Sequence, residues 1–281
     1  MPDLQEKKDG GVRPIPDVQS QRDTRRVAID RVGVTNVSYP IVVLDQKEAT
    51  QHTVATVTMA VSLPHDYRGT HMSRFIEVLD EFQGRVTISN LEHIAENLRV
   101  VLEAEQAEIV FSFPYFIMRK APATGMKSYT RYDVSLSASK GQTFDLVTTV
   151  VVPVQTLCPC SKEISEGGAH NQRAYVEIAV RMKGLVWIEE LVEVAERSAS
   201  APVYTLLKRE DEKFVTEQAY NTPRFVEDVL REVALALEGE RRITWYRIRV
   251  TSNESIHNHD AFASLERDKA VPGPQEDGVD S

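Results

Sequence analysis

The chain has 281 residues, a net charge of −9, 42% hydrophobic residues and 27% charged residues. These values are typical of a soluble globular protein, large enough for one large domain or two modest ones. The acidic balance argues against a general nucleic-acid binder, and no apolar run is long enough to span a membrane. Because residues 1–8 contain no apolar signal region, we expect a cytoplasmic protein with neither nucleic acid nor membrane as a partner.

The two ends of the chain are polar and rich in glycine, proline and charge. We therefore expect a flexible N-terminal arm over residues 1–26 and a flexible C-terminal tail over residues 268–281.

The first ordered part, residues 27–141, predicts two strands, two helices and two more strands. Apolar and β-branched residues alternate over residues 32–43 and 53–63, which indicates an antiparallel hairpin. A helix with Thr70 as its N-cap then follows, because apolar residues recur at helical spacing. Its stripe comprises Met72, Phe75, Leu79 and Phe82, and it is followed by a helix over residues 91–102 and strands over residues 107–119 and 129–139.

The second ordered part, residues 142–267, predicts a similar order of elements. Strands are expected over residues 144–157, 173–182 and 243–251, and a helix over residues 187–197. Thr222 and Pro223 are expected as the N-cap and first residue of a last long helix. The charged residues 202–220 are expected to be a linking segment.

The pattern is thus strand-strand-helix-helix-strand-strand, twice. Runs of strands with paired helices between them indicate the α+β class, with antiparallel sheet and helices on one face. Such a sheet leaves open edges, and closure into a barrel through oligomerisation is one way to cover them.

Both cysteines and one histidine lie in the segment between the strands 144–157 and 173–182. Cys158 and His170 could begin a catalytic metal site, since thiolate and imidazole are common zinc ligands. An ordinary buried thiol and a surface histidine are about as common an outcome. A carboxylate would have to complete the site, and the spacing does not choose among Glu210, Asp211, Glu212 and Glu217.

Three further groups of residues could take part in chemistry. His257 and His259 are two residues apart, so on an extended segment both point to one side, although solvated loop histidines are an equal alternative. Arg68, His71 and Arg74 flank a helix start, where backbone N–H groups and arginines favour phosphate. Glu227 lies beside an apolar helical stripe, where it could accept two N–H bonds from a guanine-type edge. No Walker A loop or dinucleotide fingerprint is present, so we expect no nicotinamide or flavin.

Several of these motifs together resemble one enzyme family. The segments 157–165 (LCPCSKEIS), 168–173 (GAHNQR) and 254–260 (ESIHNHD) resemble the type IB GTP cyclohydrolase I family, as do residues 16–19 (PDVQ) and 65–74 (HDYRGTHMSR). The resemblance covers about residues 12–268. It implies a tunnelling fold in two tandem modules, which assemble around a β-barrel as a homotetramer with active sites between subunits.

The resemblance also implies a reaction and roles for individual residues. GTP and water would give 7,8-dihydroneopterin triphosphate and formate, the first step towards folate-type pterins. The metal would be divalent, namely zinc, manganese or ferrous iron. By position, Cys158, His170 and Glu212 resemble the metal ligands, Glu227 the purine anchor, and His257 and His259 the proton-transfer groups. Arg68, His71 and Arg74 are expected at the triphosphate on physical grounds alone.

Two other functions fit parts of the pattern. A reductase of the same fold would use Cys158 as a covalent nucleophile, as the nitrile reductases do, and would need NADPH. A non-catalytic metal- or pterin-binding oligomer would have no activity to lose when Cys158 is replaced. The three histidines favour hydrolysis, because a nucleophile alone does not require them.

Overall fold

The computed structural model describes residues 17–19 and 21–271. Within them the strands are β1 (Ile29–Asp45), β2 (Ala49–Leu63), β3 (Ala107–Lys120), β4 (Lys127–Lys140), β5 (Phe144–Leu157), β6 (Asn171–Met182), β7 (Ala201–Pro202), β8 (Ile243–Ser252) and β9 (Ala261–Asp268). The helices are α1 (Met72–Glu81), α2 (Ile88–Val101), α3 (Pro159–Ile164), α4 (Ile188–Ser198), α5 (Arg209–Asn221) and α6 (Val226–Gly239). None of these helices is long and apolar enough to cross a membrane.

All strands join one antiparallel sheet, in the order β1-β2-β3-β4-β5-β6-β8-β9, with β7 pairing with β5. The alternation of buried and more exposed residues along the strands places one face of the sheet in the core. Buried residues of α1, α2, α4 and α6 belong to the same hydrophobic cluster as that face. The predicted α+β class is therefore confirmed.

The second half of the chain contains two helices that the sequence pattern did not predict. The charged segment 202–220, expected as a linker, contains most of α5, and the expected loop after Cys158 contains the short helix α3. Helix α5 presents no continuous apolar stripe, because its buried residues are only Asp211 and Ala219. A charged helix of this kind gives little periodic signal.

Two predicted helix starts are wrong. Helix α6 begins at Val226 with Phe225 as its N-cap, whereas Thr222 caps the end of α5. The backbone between the two helices bonds to the end of β5, since Arg224 N–H donates to the Leu157 carbonyl at 3.0 Å. Helix α1 has His71 as its N-cap, without a side-chain capping bond, and not Thr70.

The predicted N-terminal arm, residues 1–26, lies outside the described residues up to residue 16 and again at residue 20. Its described part lies along the loop between β2 and α1. Backbone N–H groups of Arg68 and Gly69 donate to the carbonyls of Gln21 and Gln19, at 3.1 and 3.2 Å. Asp23 N–H donates to the carbonyl of Asp66 at 3.0 Å. The predicted C-terminal tail lies outside the described residues from residue 272 onward.

Candidate functional site

Cys158 and His170 are held together by the pairing of β5 with β6. Leu157 pairs with Asn171, and the ladder continues one step further, where Cys158 N–H donates to the His170 carbonyl at 3.1 Å. Cys158 is also the N-cap of α3, and its sulfur accepts from Ser161 N–H at 3.4 Å. The Ser161 hydroxyl in turn accepts from His170 N–H at 3.2 Å. Cys158 and His170 are thus adjacent residues at one corner of the sheet.

Helix α5 brings the acidic residues of segment 202–220 towards that corner. It packs against β5, and its last turn is tied to α3 because Lys162 Nζ donates to the Tyr220 carbonyl at 2.5 Å. Lys162 also lies 4.3 Å above the Tyr220 ring. Glu212, on the first turn, is exposed. Within the described residues, no group of three or more His, Cys, Asp or Glu side chains is placed to hold a metal ion.

The start of α5 is fixed by Asp211, which is fully buried. Its carboxylate accepts from the N–H groups of Ala123, Thr124 and Lys208 at 2.8–2.9 Å and from the Thr124 hydroxyl at 2.7 Å. Burial alone would raise the pKa of Asp211, but these hydrogen bonds outweigh it and lower the pKa to about 2. Asp211 therefore joins α5 to the turn between β3 and β4, and it is unavailable as a metal ligand.

The loop after β8 carries His257 and His259 beside the same corner. Asn253 N–H donates to the Arg173 carbonyl at 2.9 Å, which continues the pairing of β8 with β6. The two imidazole rings are exposed and stacked, with centroids 5.2 Å apart and planes 19° apart. The loops that carry Cys158, His170 and the two histidines are therefore neighbours in one chain.

Glu227 is exposed on the first turn of α6. Three residues before it, Arg224 N–H donates to the Leu157 carbonyl, directly next to Cys158. The start of α6 is therefore anchored to the same corner of the sheet as the thiol.

The candidate phosphate-binding residues at the start of α1 already make contacts within the chain. Arg68 Nη1 donates to Gln21 Oε1 at 3.0 Å, and Arg74 Nη1 donates to the Val101 carbonyl at 3.0 Å. His71 Nε2 lies 3.4 Å from a carboxylate oxygen of Asp17. The cavity lined by His71 and Arg74 has a volume of about 90 Å³, which is too small for a nucleotide.

These candidate phosphate-binding residues lie at the opposite end of the sheet from Cys158. Val61 pairs with Ala107, Ala107 with Lys140, and Lys140 with Phe144, the first residue of β5. The end of β2, where the loop to α1 begins, therefore lies level with the start of β5. Cys158 follows the other end of β5, whose 14 residues span roughly 40 Å at the usual rise per residue. One chain alone does not bring these two groups together.

Three residues hold this corner in place in a way that the sequence did not indicate: Gln172 and Glu254, which lie in the quoted motifs, and Asp211, which had been a candidate metal ligand. Gln172 lies 2.9 Å from His170 Nδ1, and its amide contacts Glu254. The position of Gln172, two residues after His170 on a strand, was a usable signal, because residues i and i+2 share a face. Asp211 is the third residue of α5, where a carboxylate often caps the helix start, but α5 itself had not been recognised.

Similarity to solved structures identifies the fold. A uricase from Arthrobacter globiformis superposes with a TM-score of 0.51 and 8% sequence identity, covering 87% of this chain and 96% of that one. Urate oxidase from Bacillus subtilis 168 gives a TM-score of 0.50 and 12% identity, covering 85% and 99% of the two chains. Urate oxidases have the tunnelling fold, so this part of the prediction is confirmed, and at such low identity the likeness concerns the fold alone.

Similarity to characterised families is much closer. The family described as "Type I GTP cyclohydrolase folE2" matches residues 15–263. The GTP cyclohydrolase FolE2 of Kosmotoga olearia is 52% identical over 255 residues, covering 91% of this chain and 99% of that protein. The FolE2 of Caldicellulosiruptor bescii is 55% identical over 250 residues, covering 89% and 97%. This chain therefore belongs to the FolE2 family of type I GTP cyclohydrolases.

Proposed function

We propose that this protein is a type IB GTP cyclohydrolase I. It opens the imidazole ring of GTP at C8 by hydrolysis and yields 7,8-dihydroneopterin triphosphate and formate, the first step of folate-type pterin synthesis. The observation that carries the proposal is the fixed Cys158–His170 pair, in a chain about half identical to FolE2 enzymes over nearly all its length.

Cys158, His170 and Glu212 would hold a divalent metal: zinc, manganese or ferrous iron. The donor set suits such a metal, because thiolate, imidazole and carboxylate are all zinc ligands. When bound, the metal supplies Lewis acidity that lowers the pKa of a water molecule towards neutrality. Glu212 is exposed on a helix that packs against β5, so its carboxylate is accessible to a metal ion.

The other residues of the corner would bind and orient GTP and move protons. Glu227 offers an acceptor-only carboxylate to the N–H donors of the guanine edge. His257 and His259 are exposed imidazoles, a group whose ordinary pKa suits proton transfer at neutral pH. They would protonate the ring nitrogen next to C8 and serve the later acid–base steps. None of these steps requires a nicotinamide or a flavin.

The triphosphate would be bound by Arg68, His71 and Arg74 of a second copy of the chain. The separation of this group from Cys158 along the sheet supports a site made by two chains. The open edges of the sheet at β1 and β9 are surfaces through which copies could pair. We propose a homotetramer with active sites between subunits.

One assay tests the proposed function directly. Purified protein with GTP and Zn²⁺ or Mn²⁺ should give a dihydropterin product that becomes fluorescent after oxidation. A chelator should abolish the signal, and Cys158→Ala should lower kcat/KM by at least about 10³-fold. Activity that persists in chelator would contradict the metal mechanism, and a requirement for NADPH would indicate a reductase. A folded protein without product would indicate a binding role.

Alanine variants of neighbouring glutamates on α5 test which carboxylate is the metal ligand. Glu210 and Glu212 are both exposed on the first turn of α5, and Glu217 pairs with Lys213 on its surface. Glu212→Ala should abolish activity and weaken Zn²⁺ binding, whereas Glu210→Ala and Glu217→Ala should retain both. Loss of metal binding in Glu210→Ala alone would assign the ligand to that residue instead.

A further inference from the structure

A row of polar side chains, next to His170, runs from β5 across β6 to the loop that follows β8. Thr156 of β5 pairs with Gln172 of β6, and the pairing of β6 with β8 brings Glu254 to the other side of Gln172. Gln172 Nε2 donates to Glu254 Oε1 at 3.3 Å, and its Oε1 lies 2.9 Å from His170 Nδ1. Glu254 also accepts from the Ser252 hydroxyl at 2.9 Å.

The carboxylate of Glu254 determines which way the Gln172 amide points. An ionised carboxylate only accepts hydrogen bonds, so the amide NH₂ group of Gln172 must face Glu254. The amide oxygen then faces His170, and an oxygen that only accepts requires a proton on His170 Nδ1. The lone pair of His170 is thereby left on Nε2. Ser255 contributes a second, longer donor to the same amide oxygen, at 3.5 Å.

We propose that Gln172 and Glu254 are positioning residues that fix His170 in the Nδ1-protonated tautomer and present its Nε2 lone pair to the metal. This inference rests on the proposed metal site of the enzyme. Both act through the imidazole, which Gln172 contacts directly and Glu254 reaches through Gln172. Ser252, which is 1% exposed, anchors Glu254 from the core side. Partners that hold a ligating imidazole typically change metal affinity 10- to 100-fold when replaced.

The tautomer can be measured without any metal. In the full-length chain after chelation, ¹⁵N-histidine spectra should show His170 protonated on Nδ1, with the signal assigned through His170→Asn. In Glu254→Gln the Gln172 amide can point either way, so His170 should populate both tautomers. Gln155→Leu is the matched control: it removes an amide that bonds Asn171 at 3.1 Å on the same pair of strands, and it should leave the tautomer unchanged. A wild-type His170 protonated on Nε2 would overturn the proposal.

A swap of the two side chains tests the same idea through metal affinity. Glu254→Gln should weaken Zn²⁺ binding by at least about 10-fold, measured by competition with a chromophoric chelator. In the double variant Gln172→Glu with Glu254→Gln, the carboxylate at position 172 accepts from His170. The amide at position 254 donates to that carboxylate. It should return the Zn²⁺ Kd to within a few-fold of wild type and restore the single tautomer.

These outcomes separate the inference from the proposed function. A double variant as weak as Glu254→Gln would overturn the positioning role, even if the enzyme is active. Conversely, a wild-type chain that shows the Nδ1 tautomer but binds no Zn²⁺ would contradict the proposed metal site, and the hydrogen-bond relay from Glu254 to His170 would stand.

Discussion

The two ends of the sheet that carry candidate site residues are built differently. The end with Cys158 is held by buried polar groups: Leu157 N–H donates to the fully buried Ser200 hydroxyl, and Asp211 clamps the start of α5. The end with the loop between β2 and α1 is held by backbone hydrogen bonds with Gln19, Gln21 and Asp23, and its Arg68 is exposed.

This difference matches the demands of the two proposed tasks. Ligands to a metal must be held within a few tenths of an ångström, which rigid, buried supports provide. A triphosphate is bound by charge, which long and exposed arginine side chains can supply from a less rigid loop. The two ends should therefore act on the same substrate only across an interface between chains.

Mixing two impaired variants tests whether the two ends meet across an interface, and it carries the largest expected effect. Arg68→Glu should lower kcat/KM about 10- to 100-fold, mainly through KM, because a charge facing the triphosphate is reversed. Co-assembly of Arg68→Glu with Cys158→Ala should then restore about a quarter of wild-type activity, since one site in four receives both intact residues in a random mixture.

The control for this experiment uses two residues from the same corner. Cys158→Ala mixed with His170→Ala should stay inactive, because both proposed ligands come from one chain. If the Arg68→Glu mixture gains nothing over the mean of its separate components, Arg68 does not act across an interface. Size-exclusion chromatography of the mixture checks that the variants assemble.

The sequence predicted the strands and the long amphipathic helices well, because each buries one regular stripe in the core. It also predicted that Cys158 and His170 share one metal site; the structure shows the two residues adjacent, and the metal site stays a prediction. It did not predict that Arg68 lies far from them, since this separation depends on strand register across the whole sheet. Helix α5 was not predicted because its start is held by hydrogen bonds to the buried carboxylate of Asp211. A helix held in this way has no apolar periodicity in its sequence.

Asp211→Asn removes a carboxylate that holds only the Cys158 end in place. An amide cannot accept all four donors, so we expect Tm to fall by roughly 5 °C, and Zn²⁺ affinity to fall because Glu212 is the next residue. Asp228→Asn is the matched control, since this carboxylate caps α6 at the same helix position but is exposed to fewer donors: Phe225 N–H at 2.9 Å and the Arg231 guanidinium at 3.8 Å. Its effect on Tm should be smaller.

The pH dependence of the Asp211→Asn effect follows from the pKa of Asp211. In the folded chain this pKa is about 2, below its ordinary value of 3.8. The hydrogen-bonded carboxylate therefore stabilises the fold fully above pH 4, and this contribution is lost as the pH falls towards 2. The difference in Tm between wild type and Asp211→Asn should shrink below pH 4. A difference that stays constant down to pH 2.5 would contradict this role.

The smallest expected effect concerns Glu196, a nearly buried carboxylate at the Cys158 end that pairs with Arg119 and accepts from the Tyr132 hydroxyl at 2.8 Å. Burial raises the pKa of Glu196 above its ordinary value of 4.5, although Arg119 and Tyr132 oppose the change. The folded chain therefore holds this proton more tightly than the unfolded chain, and the free energy of unfolding falls as pH rises through the raised pKa.

Glu196→Gln cannot titrate, so its Tm relative to wild type should rise by a few degrees between pH 4.5 and pH 8. Glu232→Gln, which alters a surface carboxylate paired with Arg224, is the control for removing an ion-paired carboxylate, and the rise for Glu196→Gln should exceed any change seen with it. A Tm difference for Glu196→Gln that falls with rising pH would mean that the pair with Arg119 outweighs burial. The Cys158 end would then be stabilised by the charge of Glu196 at neutral pH, and the contrast between a buried, rigid corner and an exposed, charged loop would rest on Asp211 and Ser200 alone.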